Sequence, residues 1–592
     1  MFDDFKRRID EWNATVNASK FGTFFALEER GSTVTKEFQA GTATFLTMAY
    51  ILAVNPRIMA ESGGNCDASD FEEEGGIFSA GYESCLLELQ RQYVTATALG
   101  SFFGCLLMGL LANLPIALAP GMGMNAYFTY TVVGFRGTGN VSYSAALTAI
   151  LIEGILFLIL SVSGARFALA KLIPEPLRHA IAPGIGAFLA HLGLQSAEGL
   201  GIVVADIATT VTLGACPEQY RTPLVAYDDA CRNEGICVLS DAYTCDVLGH
   251  RMESATMWLG LVGMLLMGVL MAYSKTKNSS IVCGILFVTF ISWFRNTAVS
   301  FFPDTDKGDE RFDYFKQVVN IEPLNMVLAN YSGDLKGAIL ALITFFVVDF
   351  LDTTGTLLAV VDPIPGVVQP NGDFARSRMA FSVDAIATIF GSVFGLSPVT
   401  SYIESAAGVA AGGRTGLTAL AVAFYFLLSI FFAPIFASIP PWATGGALIV
   451  VGSMMFQNLS KVKWNQFDHA LTAFVTVILM PLTYSIAYGI IGGLMVWVSL
   501  QAAFWILSKL GIQRSAIEGD DNGGEASPEP NMNGDISGDD NGQVEGNESG
   551  KLTKDEEDTT PPSETSLMKM SEGLSNPGMD VKSSAEIEEK DA

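Results

Sequence analysis

Long stretches without charged residues dominate the pattern of hydrophobic and polar positions along this chain. Asp, Glu, Lys and Arg are all absent from residues 92–135, 415–460 and 470–508. A helix that crosses a bilayer needs ~20 mostly apolar residues, so each of these runs can hold about two crossings. Amphipathic helices of soluble proteins instead carry charged side chains on their solvent face. The pattern therefore predicts an all-α polytopic membrane protein.

Fourteen transmembrane segments, numbered here in chain order, fit this pattern. They are centred on residues 38–59, 92–112, 115–133, 143–163, 180–198, 256–273, 279–299, 337–360, 377–396, 398–412, 415–436, 443–458, 467–484 and 486–508. The third and tenth are short and interrupted by Pro and Gly, which disfavour a continuous helix. We therefore expect these two segments to be broken at membrane depth.

The basic residues in the loops predict the orientation of the chain. With a cytoplasmic N-terminus, the loops on that side hold ten of them: Arg166, Lys171, Arg178, Lys275, Lys277, Arg376, Arg378, Arg414, Lys461 and Lys463. The short loops on the other side hold little beyond Arg136. Because cytoplasmic loops carry an excess of Lys and Arg, both termini are predicted to be cytoplasmic.

The cysteines agree with this orientation. Two of the eight, Cys105 and Cys283, lie within spans, where packing is their usual role. The other six fall in two outer loops as an even number in each: Cys66 and Cys85, then Cys216, Cys231, Cys237 and Cys245. An oxidising side and even numbers predict loop disulfides, with the pairing left open.

Amino-acid composition adds information mainly about the C-terminal residues. Of the 592 residues, 50% are hydrophobic and 16% charged, against about a quarter charged in soluble domains. The net charge is −27, which argues against a nucleic-acid-binding protein. Residues 515–592 alone carry a net −16, are rich in Gly, Ser, Pro and Asn, and lack aromatic residues. The chain is therefore predicted to end in a disordered acidic cytoplasmic tail.

The two broken segments resemble each other. In residues 119–127, Pro120 stands five residues before Asn125; in residues 395–408, Pro398 stands six residues before Glu404. The segments are seven spans apart, which predicts two seven-span repeats of opposite orientation. Irregular backbone at membrane depth is tolerated where it is buried in protein or lines a cavity. Matching interruptions in two halves point to the binding site of a transporter.

Acidic residues within the spans suggest a proton-coupled site. Asp349, Asp352, Thr353 and Thr356 form one stripe of the eighth span. Intramembrane acids usually face a cavity or a partner. No Lys or Arg lies in the eighth or the tenth span to pair with these acids or with Glu404. Because burial without a cation favours the neutral carboxyl, such a group can carry a proton.

The same side chains suit a neutral ligand that is rich in N–H groups. Glu404 can accept two adjacent N–H donors, and Asn125 can donate and accept. Purine and pyrimidine bases present such edges, whereas an anion would call for Arg or Lys. Tyr127, Phe128 and Tyr402 can stack on a planar ligand, although packing is the more common role. Glu153, Asp384 and His191 also lie within spans. For these three, structural hydrogen bonds and packing are the favoured interpretation.

Four motifs carry a resemblance to a known family. Residues 41–56, 120–130, 349–356 and 400–416 resemble the AzgA-like purine permeases, the hypoxanthine–adenine–guanine transporters of fungi and plants. Guanine/hypoxanthine permeases are their bacterial relatives. The resemblance covers roughly residues 15–510. The long outer loops and the acidic tail are more similar to those of a fungal member.

The resemblance implies a fold like that of the nucleobase–ascorbate transporters. Spans one to four (38–163) and eight to eleven (337–436) would form a core domain. Spans five to seven (164–299, with the outer loop 214–255) and twelve to fourteen (437–508) would form a gate domain. The rest would be a cytoplasmic N-terminal segment (1–37), an outer loop (300–336) and the tail (509–592). A homodimer through the gate would fit this fold.

The resemblance also implies the activity. Such a permease imports purine nucleobases with protons across the plasma membrane by an elevator-type movement. By motif, its substrate residues fall on Asn125, Asp349 and Glu404, and Asp352 matches a further important acid. Tyr402 and Phe128 join the predicted substrate site as aromatic residues that can stack on a planar ligand, and Asp352 joins the predicted proton-coupling acids. Asp349 is the first candidate to carry the proton, and Glu404 is a further candidate for the same role. Met124 stands where the family often has a smaller residue.

Beyond the proton, no cofactor or metal is expected, and no catalytic site either, since the four histidines are scattered and no phosphate-binding loop occurs. A uracil or xanthine transporter of the same fold is the main alternative.

Overall fold

The computed structural model of the chain describes most residues between 2 and 512. The described residues are 2–66, 70, 79–165, 173–195, 199–206, 210–226, 237–245, 250–274, 276–333, 335, 337–364, 367 and 374–512. The predicted acidic tail from residue 513 onward lies outside them, as do Cys231 and the basic loop residues Arg166, Lys171 and Lys275.

Every predicted segment contains helical structure. Two helices, Phe2–Asn17 and Lys20–Phe25, precede the first span. Twelve spans are mainly helical: Val34–Met48 with Ile51–Ala60, Ala80–Leu107, Tyr143–Ser163, Glu175–Leu194, Ala255–Met271, Ser280–Ser292, Ala338–Val361, Ser377–Val393, Gly416–Ser429 with Ala433–Ala437, Pro441–Met455, Phe467–Leu482 and Ile486–Lys509. Within the described residues, five helices are long and apolar enough to cross a membrane alone, at 34–60, 81–112, 143–163, 338–361 and 486–509. The predicted helical membrane fold is confirmed.

Local chemistry explains where several spans begin. Side chains of Thr33, Ser79, Ser142 and Thr415 accept hydrogen bonds from backbone N–H groups in the first turns of their helices. These caps satisfy donors that a helix start leaves free. The helix of the second span begins at Ala80, well before the predicted position 92, because Ser79 caps a polar stretch that precedes the apolar run.

The third and tenth spans are broken, as predicted. Each contains a three-residue strand, Leu118–Pro120 or Val399–Ser401, and a short helix, Met122–Ala126 or Ser405–Ala410. In the third span a π-helical segment, Tyr127–Val132, follows the short helix. The strands are antiparallel, with Ala119 opposite Thr400. Two backbone bonds extend the pairing, Gly121 N–H to Pro398 O at 2.9 Å and Tyr402 N–H to Ala117 O at 3.0 Å. The two halves of the chain therefore meet through backbone at their matching breaks.

The spans pack in two sets. One contains the first, second, fourth, eighth, ninth and eleventh spans, and the other the fifth to seventh and twelfth to fourteenth. Glycines allow close approach within each set: a Cβ on Gly452 would lie 2.3 Å from the backbone oxygen of Gly186, and one on Gly416 2.1 Å from that of Gly109. Small residues at such crossings are the usual way for membrane helices to pack tightly.

The connecting segments contain more structure than the sequence pattern predicts. Strands Val203–Asp206 and Thr210–Leu213 form one antiparallel ribbon, and Arg221–Ala226 and Cys237–Cys245 another. A loop helix spans Asp306–Phe315. Disulfides join Cys66 to Cys85 and Cys216 to Cys245, which confirms loop disulfides and decides these two pairs. The all-α prediction missed the ribbons because they are short and lie between, not within, the apolar runs.

Candidate substrate and proton site

Asn125 is placed directly after the strand of the third span. It lies in the helix Met122–Ala126 and is fully buried. Its Oδ1 accepts a hydrogen bond from the Ser397 hydroxyl, and its Nδ2 lies 3.6 Å from the sulfur of Met122. Ser397 belongs to the break of the tenth span, so the Asn125 amide is held by the opposite half of the chain. Sequence reasoning missed Ser397, although it stands beside Pro398.

Glu404 is placed at the start of the short helix of the tenth span. It is 5% exposed, and its Oε1 accepts a hydrogen bond of 3.0 Å from the Tyr50 hydroxyl. Tyr50 lies between the two helices of the first span, Val34–Met48 and Ile51–Ala60. The Thr47 hydroxyl lies 3.5 Å from the backbone oxygen of Glu404. Tyr50 is a second missed residue, although it lies within the motif 41–56 that carries the family resemblance.

Two of the three aromatic candidates, Tyr402 and Phe128, make contacts that stabilise the surrounding structure. The Tyr402 hydroxyl donates to the backbone oxygen of Pro120 at 2.5 Å and so ties the two strands together. Phe128 is fully buried, with its ring 5.8 Å from that of Tyr143 and 6.4 Å from that of Phe345. Both contacts agree with the packing interpretation of these side chains.

Asp349 lies in the eighth span beside a chain of hydroxyl groups. It is fully buried, and its Oδ1 lies 3.4 Å from the Thr353 hydroxyl. Thr353 in turn lies 2.8 Å from Oδ2 of Asp384 and 2.7 Å from the Thr400 hydroxyl. Because Thr400 is on the strand of the tenth span, hydroxyl groups connect the acids of the eighth and ninth spans to the strand pair.

Asp352 extends the acidic set toward Glu404. It is partly exposed and lies close enough to interact electrostatically with both Asp349 and Glu404. Glu153 and Asp384 are fully buried and interact with Asp349. The structure thus places five acids of the fourth, eighth, ninth and tenth spans near one another, whereas the sequence pattern grouped only three of them.

His191 takes part in a different contact. Its ring lies 3.0 Å from Nε2 of Gln195, and Gln195 accepts a 2.7 Å hydrogen bond from the Tyr484 hydroxyl. The residues that touch His191 therefore belong to spans of the other packing set. This agrees with the interpretation of a packed, hydrogen-bonded histidine.

The electrostatic environment of the site is acidic. Among the described residues, the charged groups that act on Asp349, Asp352 and Glu404 are other acids, with no Lys, Arg or His. Nor is any group of three or more His, Cys, Asp or Glu side chains in that part arranged to hold a metal ion. The carboxylate and amide oxygens of the site can accept N–H groups, and its carboxylates can take up protons.

Known proteins resemble the chain along most of its length. A Schizosaccharomyces pombe protein, provisionally named a xanthine/uracil permease, is 41% identical, covering 85% of this chain and 78% of its own length. The guanine/hypoxanthine permease PbuO of Bacillus subtilis is 35% identical, covering 81% of this chain and 94% of its own. Among solved structures, the transmembrane domain of the cyanobacterial bicarbonate transporter BicA aligns with a TM-score of 0.46 and 14% identity, covering 78% of this chain and 97% of that domain.

A family-level match agrees with these relatives. Residues 81–217 and 248–492 match Xan_ur_permease, which is described as a permease family. The matched residues include the strand pair, Asn125, the acids of the eighth span and Glu404. Permeases are transporters, which confirms the expectation that the protein is not an enzyme. The chain belongs to the Xan_ur_permease family of membrane permeases.

Proposed function

We propose that the protein is a proton-coupled symporter that imports purine nucleobases, namely hypoxanthine, adenine and guanine. The observation that carries this proposal is the pairing of the two broken spans, which brings a buried amide and a buried acid to the same junction without a cation. A guanine/hypoxanthine permease among the relatives supports a purine as substrate. No cofactor beyond the proton enters the proposal.

The side chains divide the recognition of a purine between them. Glu404, when charged, accepts two adjacent N–H groups of the base, while Tyr50 holds its Oε1. Asn125 offers its amide N–H group and shares its Oδ1 with Ser397. A flat base then lies beside the strand pair and displaces little structure, because the strands already satisfy each other's backbone groups.

Asp349 is the proposed proton site. A charged, unpaired carboxylate in a buried pocket is costly, so the carrier reorients more readily with a proton on Asp349. In this proposal the core is the first packing set together with the two broken spans, which makes spans one to four and eight to eleven, and the remaining spans are the gate. Movement of the core against the gate would carry the purine and the proton together. A homodimer through the gate, cytoplasmic termini and residence in the plasma membrane complete the proposal.

Uptake of labelled hypoxanthine tests this function. In cells that lack purine transport, the wild-type protein is expected to accumulate hypoxanthine in proportion to the proton gradient. Asp349→Asn should abolish accumulation and leave exchange of hypoxanthine across the membrane. Asp304→Asn, at a loop acid whose side chain is 85% exposed, is the matched control and should behave as wild type. Proton-driven accumulation by Asp349→Asn would refute the assignment of the proton.

Uracil or xanthine transport is the second candidate. It is favoured by the Schizosaccharomyces pombe relative and its xanthine/uracil name. Competition of unlabelled purines, xanthine and uracil against labelled hypoxanthine distinguishes the two. Displacement by uracil or xanthine at lower concentration than by adenine or guanine would favour this candidate.

A further inference from the structure

Three acidic side chains meet where the fourth, eighth and ninth spans pack together. Glu153 lies on the fourth span, Asp349 on the eighth and Asp384 on the ninth, and all three are fully buried. Glu153 and Asp349 lie close enough to interact electrostatically. Asp384 interacts electrostatically with both. The fourth span thus contributes an acid that interacts with the proposed proton site.

The surroundings of Glu153 are apolar and tightly packed. One helical turn further on, the Phe157 ring packs edge-on against Phe350 of the eighth span and Phe381 of the ninth, with centroids 6.2 and 6.3 Å away. At Gly154, an added Cβ would lie 2.8 Å from the Ile389 side chain and 3.3 Å from the Ala385 backbone oxygen. Such surroundings make a charged carboxylate costly unless a hydrogen-bond donor or a cation meets it.

Donors are scarce in this cluster. The Thr353 hydroxyl has one proton, and its 2.8 Å contact to Asp384 is much shorter than its 3.4 Å contact to Asp349. The geometry therefore favours donation from Thr353 to Asp384 and from Thr400 to Thr353, which lie 2.7 Å apart. Among the described residues, no O–H or N–H group makes a hydrogen bond to either carboxyl oxygen of Glu153 or to Oδ2 of Asp349.

The charged and titratable neighbours are all acids. Asp349 and Asp384 face Glu153 from the eighth and ninth spans, which are the elements packed against the fourth. Asp352 adds to the charge around Asp349 and Asp384. In the described part of the chain, Lys, Arg and His are missing from this set, and no arrangement suited to a metal ion occurs. Two bare carboxylates would repel each other, and a proton on one of them removes that repulsion.

We propose that Glu153 keeps a resident proton and donates it in a hydrogen bond to Asp349. This inference rests on the proposed function, in which Asp349 binds and releases the transported proton. Glu153 is then a positioning residue: its O–H group stabilises charged Asp349 and so lowers the affinity of Asp349 for the transported proton. The transported proton adds to Asp349 and leaves from it, while Glu153 retains its own. The Thr353–Thr400 pair connects this acid pair to the strand beside the substrate.

Two substitutions of Glu153 separate this role from plain packing. Gln keeps a donor toward Asp349, and Leu removes it. In proteoliposomes, Glu153→Gln is expected to retain the wild-type midpoint of the pH dependence of hypoxanthine uptake. Glu153→Leu should move that midpoint upward by about one to two pH units, since a hydrogen bond to a charged group is lost. An unchanged midpoint in Glu153→Leu, or loss of proton dependence in Glu153→Gln, would overturn the inference.

Infrared spectroscopy of the purified protein tests the resident proton without transport. The wild type should show the carbonyl stretch of a buried, protonated carboxylic acid at mildly alkaline pH, and Glu153→Gln should lack it. Persistence of this band in Glu153→Gln would also overturn the inference. A wild type that retains the band but transports hypoxanthine without protons would refute the proposed function and leave the resident proton of Glu153 standing. The two failures are therefore distinguishable.

Discussion

Replacing Tyr50 by Phe removes the hydroxyl that holds the proposed substrate acid. Tyr50 is 2% exposed and donates to Oε1 of Glu404 at 3.0 Å, while its ring packs in the main apolar core. Phe keeps that ring, so the fold should persist. The change therefore tests one hydrogen bond rather than the packing of the first span.

The size of the effect follows from the charge of the acceptor. A hydrogen bond to a charged group contributes about 1.5–3 kcal/mol, and 1.36 kcal/mol corresponds to one pH unit. Without the Tyr50 hydroxyl, protonation of Glu404 becomes easier by that amount. A protonated Glu404 accepts the N–H edge of a purine less well, so hypoxanthine binding should weaken at acidic pH. The acidic limit of binding is expected to move upward by about one to two pH units.

Hypoxanthine binding to the purified protein, measured across pH, is the assay. Tyr273→Phe is the matched control, because Tyr273 is 64% exposed at the end of the sixth span. It should bind hypoxanthine as the wild type does at every pH. An unchanged pH profile in Tyr50→Phe, with normal folding, would refute the role of Tyr50 in holding a charged Glu404.

Two further predictions concern the packing of the spans. Gly452→Val should prevent close approach of the fifth and twelfth spans and reduce folded protein in size-exclusion chromatography, since a Cβ there meets the Gly186 oxygen at 2.3 Å. Gly268→Val, at a position with no atom within 4 Å of an added Cβ, should leave the yield unchanged. Glu37→Gln should lower the melting temperature through a loss of about 1.5–3 kcal/mol, because the Glu37 carboxylate accepts the Arg414 and Thr415 N–H groups at 2.9 and 3.2 Å. A melting temperature equal to that of the wild type would contradict this.

Some residues of the site are predictable from the sequence pattern, and others are not. Asn125 and Glu404 were identifiable because each follows a proline at a matching position of two broken segments. Tyr50 and Ser397 were missed, although both lie in or beside quoted motifs. Their importance depends on which side chain each meets, and both partners are far away along the chain. A hydroxyl residue in an apolar run gives no signal of its own.

The acid cluster also contains residues that the sequence pattern identifies and residues whose partners only the fold brings close. Asp349 and Asp352 stood out as one polar stripe of the eighth span, since helical periodicity is local. Glu153 and Asp384 were assigned to structural bonds because each is a single acid in its own span. Packing of the fourth span against the eighth and ninth brings Glu153 to Asp349. Only that packing makes the two acids a pair.

Patterns along the chain were enough to predict the membrane class, the positions of the spans, the two broken segments and the presence of loop disulfides. The first three follow from the cost of placing charges and free backbone groups in hydrocarbon, which acts on each segment separately. The disulfides follow from the even number of cysteines in each loop. The register of the strand pair, the cysteine pairs, the loop ribbons and the partners of Glu404 and Asp349 become visible only in the folded chain. Those depend on which distant segments meet, and the meeting is fixed by the packing of many apolar side chains together.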